Sequence, residues 1–195
     1  MYFRPAHIPR VLPLLASLAL LLAACAPIAA NNGVTVTISG GYDTDPRDHG
    51  RPVVLVAAAL GVPAEVFREA FSHVKPAPAG QQPDPAQVQL NKTALLQALG
   101  PYGVDNATLD RVSNYYRFSG SAGETWPRTP ATATAILTDG LLTGFVITGP
   151  GSGYSSTPTI TVSGAGNVTA VASISYGTDL TTNGSLTAIT LGKTK

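Results

Sequence analysis

The sequence has little charge, a single cysteine and no long basic run, and each shortage excludes a class of protein. Only 12% of its 195 residues are charged, and the formal net charge is +1. No run of lysine and arginine is long enough to neutralise a series of phosphates, so nucleic acid is not an expected partner. The one cysteine, Cys25, excludes an internal disulfide. The length suits one ordinary domain or two small ones.

The longest apolar run is too short to cross a membrane as a helix. It extends from Val11 to Ala24, about 14 residues, whereas a spanning helix takes roughly 20. Arg4 and Arg10 precede it, and a positive region followed by a short apolar run is typical of a secretory signal. The beginning of the chain therefore predicts export.

The apolar run ends in Leu22-Ala23-Ala24-Cys25, which resembles the lipobox of bacterial lipoproteins. The resemblance implies that residues 1–24 are a cleaved signal peptide and that Cys25 carries a diacylglycerol thioether and an acylated amino group. The chain is then expected in the bacterial cell envelope, bound to the lipid bilayer through acyl chains such as palmitate on Cys25. Ala26, where an aspartate would favour retention in the inner membrane, indicates the outer membrane of a Gram-negative cell. The residues alone leave open a secretory signal with a chance cysteine, or an uncleaved anchor.

The remaining chain divides where the hydrophobic period changes from helical to alternating. Residues 25–41 are predicted to form a tether, in which the alternating stretch 34–38 fits a tether or a short strand. Residues 42–118 are predicted to be helical, residues 119–130 a linker, and residues 131–195 an antiparallel β domain. The predicted fold class is α+β, with a small all-α domain of about four helices followed by a small all-β domain.

Proline, glycine and capping residues mark the predicted helices. Pro52 and Pro63 fit the first turns of two helices, and Gly61 closes the first of them in the left-handed conformation. Gly100-Pro101 ends a third helix, and Asp105 or Asn106 caps a fourth. In the β part, Asp139-Gly140 and Asn183-Gly184 are predicted hairpin turns.

A second resemblance covers roughly a third of the chain, in its C-terminal part. A Gly-Ser-Gly-Tyr loop followed by Pro-Thr and alternating β-branched residues is similar to a β-repeat of bacterial surface and phage tail proteins. The matching residues are Gly151, Ser152, Gly153, Tyr154, Pro158, Thr159, Ile160, Thr161 and Val162. The resemblance implies a structural or adhesive module and supplies no catalytic residue.

The densest group of reactive side chains consists of Asp43, Asp45, Asp48 and His49. Carboxylate oxygens suit Ca²⁺, and these residues are the predicted cation site. An EF-hand loop starting at Asp43 fails, because Arg47, Asp48 and Val54 occupy three of its required positions. The preferred prediction is nevertheless a structural turn that leads into a helix, with Arg47 and Arg51 as charge partners, and the cation site and a contact with a partner or ligand are its alternatives. No other metal and no other cofactor are predicted.

No catalytic residue is assigned. The chain lacks a Gly-x-Ser-x-Gly elbow, and only His49 and His73 follow the signal. Four aromatic residues are predicted to contact a partner or ligand, although a lone tryptophan packs between domains more often than it binds: Tyr115, Tyr116, Trp126 and Tyr154. The predicted function is a non-enzymatic structural or interaction module that contacts an envelope protein or glycan. The alternatives are a lipoprotein that binds a small molecule or Ca²⁺ through the aspartate-rich loop, and, more distantly, an envelope hydrolase.

Overall fold

The structure is a computed structural model that describes residues 33–77, 81, 84–117, 124–166 and 168–192. Its first half contains four α-helices: α1 (Val53–Leu60), α2 (Ala64–Ser72), α3 (Pro85–Leu99) and α4 (Asn106–Tyr115). Two short 3₁₀ helices accompany them, Pro46–Asp48 and Gly100–Tyr102. The predicted α+β fold class and the four predicted helices are confirmed.

Local sequence determines where these helices begin and end. Gly61 follows α1 with φ of 72°, and its N–H donates to the carbonyls of the last turn. The side chain of Asp84 accepts from the N–H of Ala86, and that of Asp105 accepts from the N–H of Thr108. The hydrogen bonds from Thr108 lower the pKa of Asp105. The helix boundaries were therefore readable from capping chemistry.

The second half contains most of the six strands, which pair antiparallel as β1 with β4, β2 with β3 and β5 with β6. Their bounds are β1 (Thr35–Ser39), β2 (Thr132–Thr138), β3 (Leu141–Gly149), β4 (Thr159–Ser163), β5 (Ala170–Ser175) and β6 (Ser185–Leu191). Between pairs, β1 lies beside β2, β3 beside β6 and β4 beside β5. The strands therefore form a ring in the order β1, β4, β5, β6, β3, β2. The ring encloses an apolar core that includes Ala135, Ile160, Val162, Ala172, Leu186 and Ile189.

The pairing of β1 corrects the predicted tether. Thr35 is opposite Ser163 and Ser39 is opposite Thr159, so this segment is a strand of the β half. Val34, just before it, is buried. The alternating Val-Thr pattern allowed a strand, but a partner more than a hundred positions away could not be predicted. The β half is therefore not confined to residues 131–195, and residues 25–32 of the predicted tether lie outside the described residues.

Both predicted turns are observed, but only the first joins its two strands directly. Asp139 and Gly140 have φ of 51° and 80° and join β2 directly to β3. Asn183-Gly184, in contrast, ends a longer connection between β5 and β6 that spans residues 176–184. The backbone N–H of Asn183 donates to the carbonyl of Asp179, and its side chain is directed into the helical half. Asn183 therefore belongs to a turn within a longer connection, and its side chain links that turn to the helical half.

The described part of the predicted linker packs between the two halves. Trp126 is 3% exposed and belongs to the helical core, while its indole N–H donates to the carbonyl of Gly153 at 2.8 Å. Thr129 pairs with Ser152 through two backbone hydrogen bonds. Tyr42 packs against the apolar cores of both halves. The two halves thus share one continuous interior.

Candidate functional site

The aspartate-rich loop begins with a capped turn built by Asp45. Its carboxylate accepts from the backbone N–H of Arg47 at 2.9 Å, which starts the 3₁₀ helix Pro46–Asp48. The Arg47 side chain also donates to it, with Nη2 2.7 Å from Oδ2. These hydrogen bonds lower the pKa of Asp45 to about 2. Asp45 is therefore ionised and already bonded to a cation.

Asp48 is buried and bound to an arginine of α2. Its two carboxylate oxygens accept from Nε and Nη2 of Arg68 at 2.6 and 2.8 Å, a bidentate arrangement. Arg68 also contacts Glu65 at 2.6 Å. The hydrogen bond to Asp48 raises the pKa of Arg68 above its usual range. Since the Asp48 side chain is only 3% exposed, this pair holds the loop against α2.

The remaining two residues of the predicted cation site have other roles. Asp43 is fastened to the loop before β4, because its N–H donates to the hydroxyl of Ser156 and its carbonyl accepts from the hydroxyl of Ser155. His49 has φ of 51° and ends the 3₁₀ helix. Its side chain is exposed and makes no hydrogen bond or ion pair within the described part of the chain.

The predicted cation site is therefore not assembled. In the described ranges, no group of three or more histidine, cysteine, aspartate or glutamate side chains is arranged to hold a metal ion. The physical reason is that arginines take the place of a cation: Arg47 binds Asp45 and Arg68 binds Asp48. The preferred prediction, a structural turn that leads into a helix, agrees with these contacts.

Beside this turn lies a cleft of about 370 Å³ between the loop and α2. Its charged lining consists of Arg47, Arg51, Arg68 and Asp48, which gives a formal charge of +3 − 1 = +2 with His49 neutral. Its apolar lining is formed by Val53, Phe71, Val74 and Pro76. Loop and helix together thus produce a concave surface with a positive edge and an apolar wall.

Arg51 differs from the other two arginines of the cleft. Its guanidinium carbon lies 4.4 Å from the centre of the Phe71 ring, and its Nη1 donates to the backbone carbonyl of Asp48 at 3.3 Å. It forms no ion pair with a carboxylate among the described residues. Burial lowers the pKa of Arg51. The cleft therefore holds one stacked guanidinium whose charge no carboxylate neutralises directly.

The aromatic residues predicted to contact a partner are mostly internal. Tyr154 is 1% exposed, stacks on Tyr42 with ring centres 4.9 Å apart, and its oxygen accepts from the N–H of Ala131. Trp126 and Tyr116 are also buried. The junction of the two halves covers these three side chains, which agrees with the packing role predicted for Trp126 and leaves little of their surface for a partner to contact. Tyr115 is half-buried and packs edge-on against Tyr116.

Asn183 is a residue that the sequence did not single out for its side chain. Its Nδ2 donates to the carbonyl of Leu55 and to the phenol of Tyr116, and its Oδ1 accepts from the N–H of Gly177. It is 2% exposed, and its two donated bonds are buried in the interior. The Asn-Gly pair that predicted a turn gave no sign of this role.

Comparisons with known proteins add no further constraint: no family model, no curated protein and no solved structure matches the chain. Among the described helices, none is both long enough and apolar enough to span a bilayer. Cys25 and the rest of the lipobox lie outside the described residues.

Proposed function

We propose that the chain is an exported lipoprotein, anchored through Cys25, that serves as a non-enzymatic interaction module of the bacterial cell envelope. The observation that carries the proposal is the resemblance of Leu22-Ala23-Ala24-Cys25 to a lipobox at the end of an apolar run. Several acyl chains on one residue hold a protein on a membrane far more firmly than a single chain does. Attachment to the outer membrane is part of the same proposal.

The position of β1 supports a body held near the membrane. Thr35 lies ten positions after Cys25 (35 − 25 = 10), and ten extended residues reach at most about 35 Å. Since β1 belongs to the ring, the anchor would join the body at the end where Thr35 lies opposite Ser163. The aspartate-rich loop follows the other end of β1, where Ser39 lies opposite Thr159. The cleft would then face away from the point of attachment.

A binding role is supported over a hydrolytic one. His49 has neither an acid nor a serine partner within the described part of the chain, and the neighbouring carboxylates are bonded to arginines. A general base needs a partner or substrate proton within hydrogen-bond reach. The cleft beside Arg51, in contrast, presents an accessible charge and an apolar wall, which suits recognition. An envelope protein or glycan remains the proposed larger partner, and it should be sought with the whole chain, because β1 completes the β half.

The anchor can be tested by expressing the full chain in a Gram-negative host that is fed alkyne-labelled palmitate. We expect the wild-type chain to be labelled, to enter the detergent phase on Triton X-114 partition and to sediment with outer membranes. Cys25→Ser removes the only cysteine and should remove both the label and the partition. Ala26→Ser is the matched control, and it should be labelled like the wild type. An unlabelled wild-type chain, or an equally labelled Cys25→Ser variant, would contradict the proposal.

A further inference from the structure

We infer that the cleft between the aspartate-rich loop and α2 binds a small organic monocarboxylate with an apolar body, and that Arg51 is its charged contact. The inference needs only the folded body and does not depend on lipid attachment. The aspartate-rich sequence suggests a cation as the ligand, whereas the cleft is inferred to bind an anion.

The first argument is how the charges around the loop are distributed. Of the three arginines that line the cleft, Arg47 is bonded to Asp45 and Arg68 to Asp48. Asp45 lines a neighbouring cavity of about 130 Å³ that shares Asp48, Arg51 and Arg68 with the cleft, and Glu65 lines neither space. Among the described residues that line the larger cleft, Asp48 is thus the only carboxylate, and it is bonded to Arg68. A ligand in this cleft meets a net positive surface.

The second argument is the geometry of Arg51. Its guanidinium is stacked on Phe71, which restricts it to one plane, and one of its five N–H groups is used by the carbonyl of Asp48. The unused edge of a guanidinium matches the two oxygens of a carboxylate. Because Arg51 is half-buried, its charge is less screened by water than that of a fully exposed arginine.

The third argument is the apolar wall and its size. Val53, Phe71, Val74 and Pro76 line the same cleft. Its volume of about 370 Å³ is at the lower end of the roughly 300–1,000 Å³ of small-molecule sites. A monoanion is favoured, because Arg51 is the one guanidinium of the three in the cleft that has no carboxylate partner among the described residues. A dianion such as inorganic phosphate would lack a second unpaired cation, and the apolar wall provides no hydrogen-bond donors for its oxygens.

Ligand-observed NMR on the purified full chain, with phenylacetate as the probe, tests this inference. Phenylacetamide has nearly the same shape without the charge, and we expect it to bind at least about ten-fold more weakly, as loss of a charge-assisted hydrogen-bond pair implies. Inorganic phosphate at equal concentration should not displace phenylacetate. No binding of phenylacetate, equal binding of the amide, or displacement by phosphate would each overturn the assignment.

Two variants locate the site. Arg51→Gln should weaken phenylacetate binding at least about ten-fold, because it removes the charge and the fork of donors. Arg128→Gln is the matched control, since the Arg128 guanidinium also stacks on aromatic rings, those of Tyr42 and Trp126, but lies outside the cleft lining. It should bind within about two-fold of the wild type, the scale of a distant charge effect.

Thermal unfolding of each variant shows that the fold is retained. Should Arg51→Gln fail to fold, Arg51→Lys keeps the charge and removes only the planar fork, and it should still weaken binding several-fold. Wild-type affinity in either folded Arg51 variant, or an equal loss in Arg128→Gln, would contradict the role of Arg51.

Discussion

Asn183 donates a 2.9 Å hydrogen bond to the phenol oxygen of Tyr116, joining the connection between β5 and β6 to the end of α4. The second amide proton of Asn183 goes to the carbonyl of Leu55 in α1 at 2.8 Å. Both side chains are buried, so a satisfied polar network crosses the junction of the helical and β halves. The halves are thereby coupled more closely than two domains on a flexible linker.

Removing this network should destabilise the whole protein. Asn183→Ala leaves the hydroxyl of Tyr116 without a donor and the N–H of Gly177 without an acceptor, and it removes the additional hydrogen bond to the carbonyl of Leu55. Loss of partners for buried groups of this kind costs about 1–3 kcal/mol each. We expect the free energy of unfolding in urea to fall by about 3 kcal/mol. Asn114→Ala is the control, because the exposed Asn114 side chain accepts a hydrogen bond from Arg117 and from no other described residue, and it should change stability by less than about 0.5 kcal/mol. Equal effects of the two substitutions would argue against the network.

Stability should fall at alkaline pH because of two tyrosines at the junction. The pKa of Tyr42 is raised to about 12 and that of Tyr116 to about 12, and burial is the largest cause in both cases. The unfolded chain loses these protons near pH 10, so between pH 10 and 12 the folded state binds more protons than the unfolded state. The tyrosine contribution is thus complete below pH 10 and is lost as the pH rises through 12.

Phenolate absorbance at 295 nm, together with urea unfolding at several pH values, measures this effect. Two tyrosines should ionise only near pH 12, and the double variant Tyr42→Phe/Tyr116→Phe should lose that late step. Tyr102→Phe, at an exposed position, should keep it. A stability that is constant from pH 10 to 12 would contradict the expectation.

Breaking the buried pair of the aspartate-rich loop should cost more than breaking a surface pair. Asp48→Asn leaves Arg68 without its bidentate partner, and loss of one member of a buried pair typically costs about 3–5 kcal/mol. Asp110→Asn removes the partner of Lys92 at the surface and should cost less than about 1 kcal/mol. Chemical denaturation of both variants compares the two costs, and a smaller loss in Asp48→Asn would refute the structural role of the loop.

Calcium should not stabilise the protein. A ligand that prefers the folded state raises the melting temperature, but Asp45 and Asp48 are already bonded to arginines. We expect the same thermal midpoint with millimolar Ca²⁺ as with EDTA. Arg47→Ala/Arg68→Ala frees both carboxylates and serves as the comparison. A rise in the wild-type midpoint on adding Ca²⁺ would restore the original cation-site hypothesis.

The glycines of the Gly-Ser-Gly-Tyr loop should be needed for packing as well as for backbone conformation. A Cβ on Gly153 would lie 2.4 Å from the carbonyl oxygen of Pro127, whereas one on Gly140 would meet no atom within 4 Å. Both residues have φ near 80°. Gly140→Ala therefore measures backbone strain alone, about 1 kcal/mol. Gly153→Ala should cost clearly more in the same unfolding experiment, and equal costs would mean that the close approach is readily relieved.

Local chemistry made much of this fold predictable, and distance along the chain set the limit. Gly61, Asp105 and the Asp139-Gly140 turn act on neighbouring residues, so their roles were readable from sequence. The pairing of Thr35 with Ser163 spans 128 positions (163 − 35), and no local pattern specifies it.

The site shows the same limit on a smaller scale. Arg47 was correctly named as a charge partner because it lies two positions from Asp45. The carboxylate of Asp48 is bonded to Arg68, 20 positions away on the next helix, and not to Arg51. Because Arg68 binds the Asp48 carboxylate, Arg51 has no carboxylate partner among the described residues, and we infer that it can bind a ligand instead. The net charge that the cleft presents thus depends on which of the two arginines pairs with Asp48, and the packing of α2 determines that.

The pairing of β1 with β4 also has a consequence for the order of folding. During synthesis β1 emerges first, but its partner is complete only after Ser163 has been added, when all four helices are already available. Contacts between distant segments form slowly because the intervening chain must first be ordered. The helices can therefore pack early, whereas the ring of strands forms only when β1 pairs with β4. Alternate threonines in β1 keep that waiting strand half polar, which limits its tendency to aggregate.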